Sequence, residues 1–199
     1  MSWDESLFRA INGQAGQWPA LDWLALTLSS PSLLCVPGIV LGCYWLWLCR
    51  HEMLIGAPLL GGTVGLLDFI GARIKDFVAR PRPCMILSDV HQIEGCGKVF
   101  GFPSNHAINT AAAAAFLQVL YPRSGWISWP LVAMIGLARV FIGAHYVTDV
   151  LGGWALGGMC GAAIAWVLLQ WPTFRTKAVE SSLPPLNRAG ARTESSLPD

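Results

Sequence analysis

Charge is what this chain lacks. Charged side chains occupy 13% of its 199 positions, about half the share that a soluble domain carries. Hydrophobic residues fill 54% of it and the mean hydropathy is +0.50. That balance excludes an ordinary water-soluble globule. The net charge is +1. With a few clustered cations set aside, no basic field remains, so nucleic acid is excluded as a partner. Neither a CxxC pair nor a histidine-rich tract is present, so nothing points to zinc. No internal repeat is recognisable, and the length suits one domain. The N-terminus also lacks the marks of a cleaved secretory signal. Asp4 and Glu5 stand where basic residues belong, and no apolar stretch with a small-residue cleavage site follows. The first apolar span is expected to serve as its own targeting signal.

What is present is a series of apolar runs. A helix needs about 20 residues to cross a bilayer, with about 17 as a practical minimum. Five stretches qualify, near residues 31–49, 53–72, 103–122, 126–143 and 150–172. Residues 2–30 are mixed instead, with Trp3, Phe8, Trp18 and Trp23 set among Asp4, Glu5, Arg9 and Asp22. That pattern reads as an amphipathic helix lying at the interface. From residue 173 to 199 the chain is polar and rich in serine and proline, and a disordered cytoplasmic tail is expected. The expected fold is an all-α integral membrane protein, with one membrane-embedded domain over 1–172. It is a bundle of about five transmembrane helices plus an N-terminal interfacial helix.

Tryptophans support that count. Trp45 and Trp47 close the first span, Trp126 and Trp129 open the fourth, and Trp166 and Trp171 close the fifth. With five spans these ends share one face, as an aromatic belt requires. Six basic residues fall on that face, among them Arg50, Arg123 and Arg175. The opposite face has seven, or four once Lys75, Arg82 and Arg139 are set aside. The remaining excess favours the tryptophan face as cytoplasmic.

Three polar clusters flank the apolar runs, where charge is costly and is by default a pointer to function. In the first, Pro81 and Pro83 should end the second helix. Lys75 then lies near the helix end and Arg82 in an extended exit. A lysine point charge and an arginine fork together suit a phosphate dianion. Basic side chains snorkelling to headgroups would look the same, and Arg73 and Arg80 carry that simpler reading. In the second, Ser104 follows Pro103 and directly precedes an apolar run, as an N-cap does. A helix N-terminus with a serine hydroxyl is a ready anion site. His106 in the first turn could act as general acid to a leaving oxygen, a role worth roughly 10²–10⁴-fold. In the third, His145 and Asp149 are four apart and share a face on a helix opening the fifth span. A carboxylate on one imidazole nitrogen fixes the tautomer and frees the other to attack phosphorus. Arg139 can clamp oxygens where charge develops. A capping aspartate beside a structural histidine would not explain Arg139.

The clusters Lys75-x6-Arg82-Pro83, Pro103-Ser104-Asn105-His106 and Arg139-x5-His145-x3-Asp149 together resemble the type 2 phosphatidic acid phosphatase family. That family shares its architecture with vanadium-dependent haloperoxidases. The resemblance covers roughly residues 70–150, and the flanking spans fit small bacterial members. It implies Lys75, Arg82 and Arg139 as phosphate ligands, with Ser104 and nearby amides, that of Asn105 included. It implies His106 as acid, His145 as nucleophile and Asp149 as its orienting partner. Neither metal nor other cofactor is implied. Two positions depart from the family pattern: Asn105 replaces the usual glycine and Ala138 the usual serine. Asn105 keeps its amide N–H, whereas Ala138 forfeits a hydroxyl worth about 0.5–1.5 kcal/mol as a hydrogen bond.

Cys84 and Cys96 close the polar loop between the first two clusters. A disulfide ordering the segment over a bound headgroup and a pair of free thiols are both open. Gly153, Gly157 and Gly161 allow close helix contact, within the chain or across a dimer; the oligomeric state stays open. Asp68 lies about two turns before Lys75. It could pair with Lys75 or Arg139, or line the cavity.

The expected activity is a metal-independent phosphatase acting through a phosphohistidine at the outer face of a bacterial inner membrane. Its partners are then the bilayer and a membrane lipid phosphate substrate. Candidate substrates are undecaprenyl diphosphate, phosphatidylglycerophosphate, phosphatidic acid and lipid A 1-phosphate. The alternatives are a non-catalytic lipid-phosphate binding or transport protein, and a phosphotransferase using the same histidine. A haloperoxidase-type oxidase is disfavoured because those relatives are soluble.

Overall fold

A computed structural model of the chain describes residues 2–30, 43 and 50–171. Apart from Cys43, the run read as the first span (31–49) lies outside the described residues, as does the tail from 173. Every regular element among the described residues is helical: α1 (Trp3–Asn12), α2 (Pro19–Ser29), α3 (Arg50–Val78), α4 (Pro83–Ile86), α5 (Asn105–Leu120), α6 (Gly125–Phe141) and α7 (Val147–Leu169). A 3-10 turn, Pro122–Ser124, joins α5 to α6. Among the described residues, three segments are long and apolar enough to cross a membrane: Leu54–Val78, Pro122–Phe141 and Val147–Leu169.

Two of the expected segments take a different form. The run over 103–122 becomes α5, a helix of 16 residues, or roughly 24 Å at 1.5 Å per residue. Its Ala107, Ile108, Ala111, Ala112 and Phe116 are fully buried, so it forms the centre of the bundle. Residues 2–30 form two helices, not one, and α1 is docked. Asp4, Phe8 and Asn12 recur at helical spacing on one buried stripe of α1. Phe8 meets the ring of Tyr146 edge-on at 5.5 Å. Asn12 donates to Phe141 O (2.8 Å) and His91 O (2.9 Å), fastening α1 to the end of α6. α2 lies along α6, with Ala25 packed in one cluster with Ala138, Ile142 and Ala144.

Glycine sets the central contact. Gly153, Gly157 and Gly161 of α7 face the backbone of α5. A Cβ at Gly157 would strike the carbonyl of Ile108, and one at Gly161 that of Ala112. The stripe is therefore used within the chain, where it lets two backbones approach. The same contact ties the helix starts together, with Ser104 N–H donating to Asp149 O at 3.0 Å.

α3 and α6 end where α5 and α7 begin, so all three polar clusters meet at one end of the bundle. After α3, Ala79 takes a left-handed conformation (φ 49°). Arg82 is extended at φ −70°, ψ 154°, and its N–H donates to Val99 O at 3.0 Å. Cys84 and Cys96 are joined by a disulfide with their Cα atoms 5.9 Å apart, closing a loop over this end. Between α6 and α7, Gly143 (φ 85°) makes a turn that only a residue without Cβ adopts freely. The turn brings His145 N–H within 3.3 Å of Arg139 O.

Candidate active site

His145 is 2% exposed and Asp149 fully buried. They meet as the spacing requires, with Nδ1 3.4 Å from Oδ2, a contact looser than a good hydrogen bond. The sequence put both on one helix. In the structure His145 precedes α7, and Asp149 caps the helix by accepting the Tyr146 N–H at 3.0 Å. The carboxylate thus serves as helix cap and imidazole partner together.

Arg82 fixes the tautomer. Its Nη1 lies 3.3 Å from Nε2 of His145 and 3.2 Å from Ala144 O. A guanidinium can only donate, so Nε2 must accept, and the ring proton sits on Nδ1 facing Asp149. The lone pair of Nε2 then faces Arg82. Burial pushes the imidazole down to about 3, below its ordinary value, against the pull of Asp149. His145 is therefore neutral at physiological pH.

Around this pair, Arg139 is 8% exposed, and its Nη1 approaches Ser29 O (3.5 Å) and Glu94 Oε2 (3.4 Å). His106 reaches the backbone of Ser29 and lies within electrostatic range of Arg139 and Arg82. Ser104 occupies the N-cap position of α5, yet its hydroxyl makes no cap. Buried polar atoms Ser29 Oγ, Ser104 Oγ, His106 Nε2 and Arg139 Nε have no hydrogen-bond partner among the described residues. Such groups call for an explanation. Two hydroxyls, a guanidinium N–H and a protonatable nitrogen are what an oxyanion accepts from.

Lys75 lies in the last turn of α3 and donates to Pro103 O and to Asn105 Oδ1. Asn105 in turn donates to Asp68 Oδ1 at 2.8 Å, an oxygen that also accepts from Asn109 at 2.9 Å. Asp68 therefore bonds to the two asparagines, and through Asn105 it reaches Lys75.

All the residues singled out in the three clusters gather at this end. Several neighbours were not foreseen. Arg80, read as an interfacial cation, instead bridges two carboxylates. Its Nη1 lies 2.9 Å from Asp149 Oδ1 and its Nη2 2.7 Å from Asp4 Oδ2. Its guanidinium also stacks over the Tyr146 ring at 4.3 Å. Thr148 N donates to Asp4 Oδ1 at 3.1 Å. Burial would raise the Asp4 carboxyl, but the bonds from Arg80 and Thr148 hold it below the usual carboxylate range. The available signal was an acidic residue on the same helical stripe as Phe8. Ser29 and Glu94 had none, since only the docking of α2 and the disulfide loop brings them here.

The sequence pattern of the PAP2 superfamily matches residues 56–175, more than half of the chain. This chain belongs to the PAP2 superfamily. It is the family whose signatures the three clusters resemble. Among PAP2 relatives, the lipid A 4'-phosphatase of Porphyromonas gingivalis is 28% identical over 169 residues, spanning 79% of this chain and 70% of that protein. Undecaprenyl-diphosphatase BcrC of Bacillus subtilis is 28% identical over 150 residues, 73% of this chain and 74% of that one. The crystal structure of a transmembrane PAP2 type phosphatidylglycerolphosphate phosphatase from Bacillus subtilis shares the fold. Its TM-score is 0.65 at 23% identity, covering 88% of this chain and 90% of that chain.

Proposed function

We propose that the chain removes a terminal phosphate from a membrane lipid phosphate or diphosphate through a phosphohistidine, with no metal required. The observation that carries this reading is the placement of His145: buried, with Nδ1 3.4 Å from Asp149 Oδ2 and Nε2 3.3 Å from Arg82 Nη1. Lys75, Arg82 and Arg139 supply the positive charge that a metal supplies elsewhere. Nε2 attacks phosphorus, forming an N–P bond as the P–O bond to the lipid breaks. His106, carrying a proton on Nε2, gives it to the departing oxygen. Water then attacks the phosphohistidine, His106 takes a proton from that water, and inorganic phosphate leaves as the N–P bond breaks.

A lipid rather than a soluble ester is favoured by the surroundings. An apolar groove of about 500 Å³ runs between α1, α2 and α6, lined by Leu21, Leu24, Leu28, Leu137 and Phe141. Leu28 and Ala138 of that groove are chain neighbours of Ser29 and Arg139, so hydrocarbon could lie against the phosphate site. The relatives act, by name, on lipid A, undecaprenyl diphosphate and phosphatidylglycerolphosphate, and these with phosphatidic acid form the panel to test. The topology we infer has five spans in a bacterial inner membrane, with the site facing outward.

Phosphate release from that panel by the purified protein in EDTA, with His145→Ala as control, tests the reading. Release that survives EDTA and vanishes in the variant is expected. Equal release by the variant refutes the nucleophile. No release from any of the lipids favours a binding or transfer protein instead.

A further inference from the structure

Arg80 lies outside the proposed phosphate-binding and proton-transfer groups, yet it is the most heavily engaged cation at this end of the bundle. It joins α1 to the proposed nucleophile's partner. Nη1 takes Asp149 Oδ1 at 2.9 Å and Nη2 takes Asp4 Oδ2 at 2.7 Å, while Nη1 also reaches Thr148 Oγ1 at 2.5 Å. Asp149 has two oxygens with separate duties: Oδ1 for Arg80, Oδ2 for Tyr146 N–H and His145 Nδ1. We propose that Arg80, held by Asp4, is a positioning residue for the His145–Asp149 pair: it fixes the carboxylate plane and offsets its charge, so that the imidazole stays neutral and its Nε2 unprotonated.

The electrostatic logic follows from the groups that face the pair. Arg82 and Arg139 act on His145 from the segment after α3 and from α6, and Lys75 acts on Asp149 from α3. From α1, Asp4 reaches the pair through Arg80 and through Thr148, the chain neighbour of Asp149. Without the guanidinium, the carboxylate turns its full charge on the imidazole. An opposite charge at such range favours the protonated ring by roughly 1–3 pH units. Protonated Nε2 cannot attack phosphorus.

The test reads the imidazole directly, so only its kinetic arm rests on the phosphatase reading. The full chain in detergent, labelled with ¹⁵N-histidine, is titrated, and His145 is assigned among four histidines by His145→Gln. Arg80→Gln is expected to raise the His145 midpoint by about one unit or more. Asp4→Asn should shift it less in the same direction, and Arg80→Lys should largely restore the original value. In an Asp149→Asn background, Arg80→Gln should shift nothing. The acid limb of kcat/KM should move with the midpoint, while KM stays within about twofold. An unchanged midpoint in both Arg80→Gln and Asp4→Asn overturns the proposal, as does a uniform loss of kcat without movement of the limb. Should Arg80→Gln fail to fold, Arg80→Lys and Asp4→Asn carry the comparison. A shifted midpoint in protein that releases no phosphate from any lipid would sustain the positioning role and refute the phosphatase reading.

Discussion

Glu94 Oε2 stands 3.4 Å from Nη1 of Arg139, so a carboxylate of the disulfide-closed loop already occupies part of a cation expected to grip phosphate. On the proposed reading, a phosphate that reaches Nη1 competes with it. Glu94 is 46% exposed, which puts the pair in the range of about 0.2–1 kcal/mol, or at most about fivefold. Glu94→Gln should therefore lower the inhibition constant of inorganic phosphate about twofold to fivefold at low salt, and the gain should fade as ionic strength rises. An unchanged constant at low salt would show that Glu94 does not compete.

Asn105 stands where the resembling family has glycine, and its amide is oriented by Asp68. Because Nδ2 donates to Asp68, Oδ1 faces Lys75. Removing the carboxylate takes away one of the two bonds that hold the amide, so Oδ1 is less firmly fixed on Lys75. Asp68→Ala should raise KM for the lipid phosphate about threefold to tenfold with little change in kcat, the scale of one ordinary net hydrogen bond. In an Asn105→Gly background the same change should be nearly silent. Additive losses in the double variant would mean that Asp68 acts by another route.

The α5–α7 contact predicts a contrast between adjacent glycines. A Cβ at Gly157 meets the Ile108 carbonyl, whereas one at Gly158 meets only Trp129 at an ordinary 3.6 Å. Gly157→Ala should destabilise the protein by about 1–3 kcal/mol, as overpacking does. It should also cost activity, because the same contact holds Ser104 N–H on Asp149 O. Gly158→Ala should leave both nearly unchanged. Equal melting temperatures for the two variants would count against this packing.

How much of this could be read beforehand depended on what each residue's role requires. Lys75, Arg82, His106, Arg139, His145 and Asp149 stood out because polar chemistry beside apolar runs has few structural excuses, and alternating helix directions bring those run ends together. The run over 103–122 reads as one more span because alanine counts as apolar. Its burial as α5 depends on the glycines of α7, fifty residues away. His145 was expected on the helix because the i, i+4 spacing fits one; the Gly143 turn and the Asp149 cap start α7 later. Asp4 is signalled only by its place on the stripe with Phe8, whereas Ser29 and Glu94 come from segments whose docking no local pattern encodes. Arg80 was the most misleading, since a cation before proline at a membrane interface reads equally well as a headgroup anchor.

Burial of neutral His145 couples folding to pH. Its folded midpoint, about 3, lies below the ordinary imidazole value of 6.5. Above 6.5 both folded and unfolded chains hold the ring neutral, and it contributes nothing. As pH falls below 6.5, the unfolded chain binds a proton that the folded one refuses, so stability declines until the folded midpoint is reached. The slope for one such proton is about 1.4 kcal/mol per pH unit. Melting temperatures of the wild-type chain should therefore fall more steeply between pH 6.5 and 4.5 than those of His145→Gln, which has no imidazole to protonate. Parallel curves for the two would mean that the folded ring takes up its proton over the same range as the unfolded one, and the depressed midpoint would be refuted.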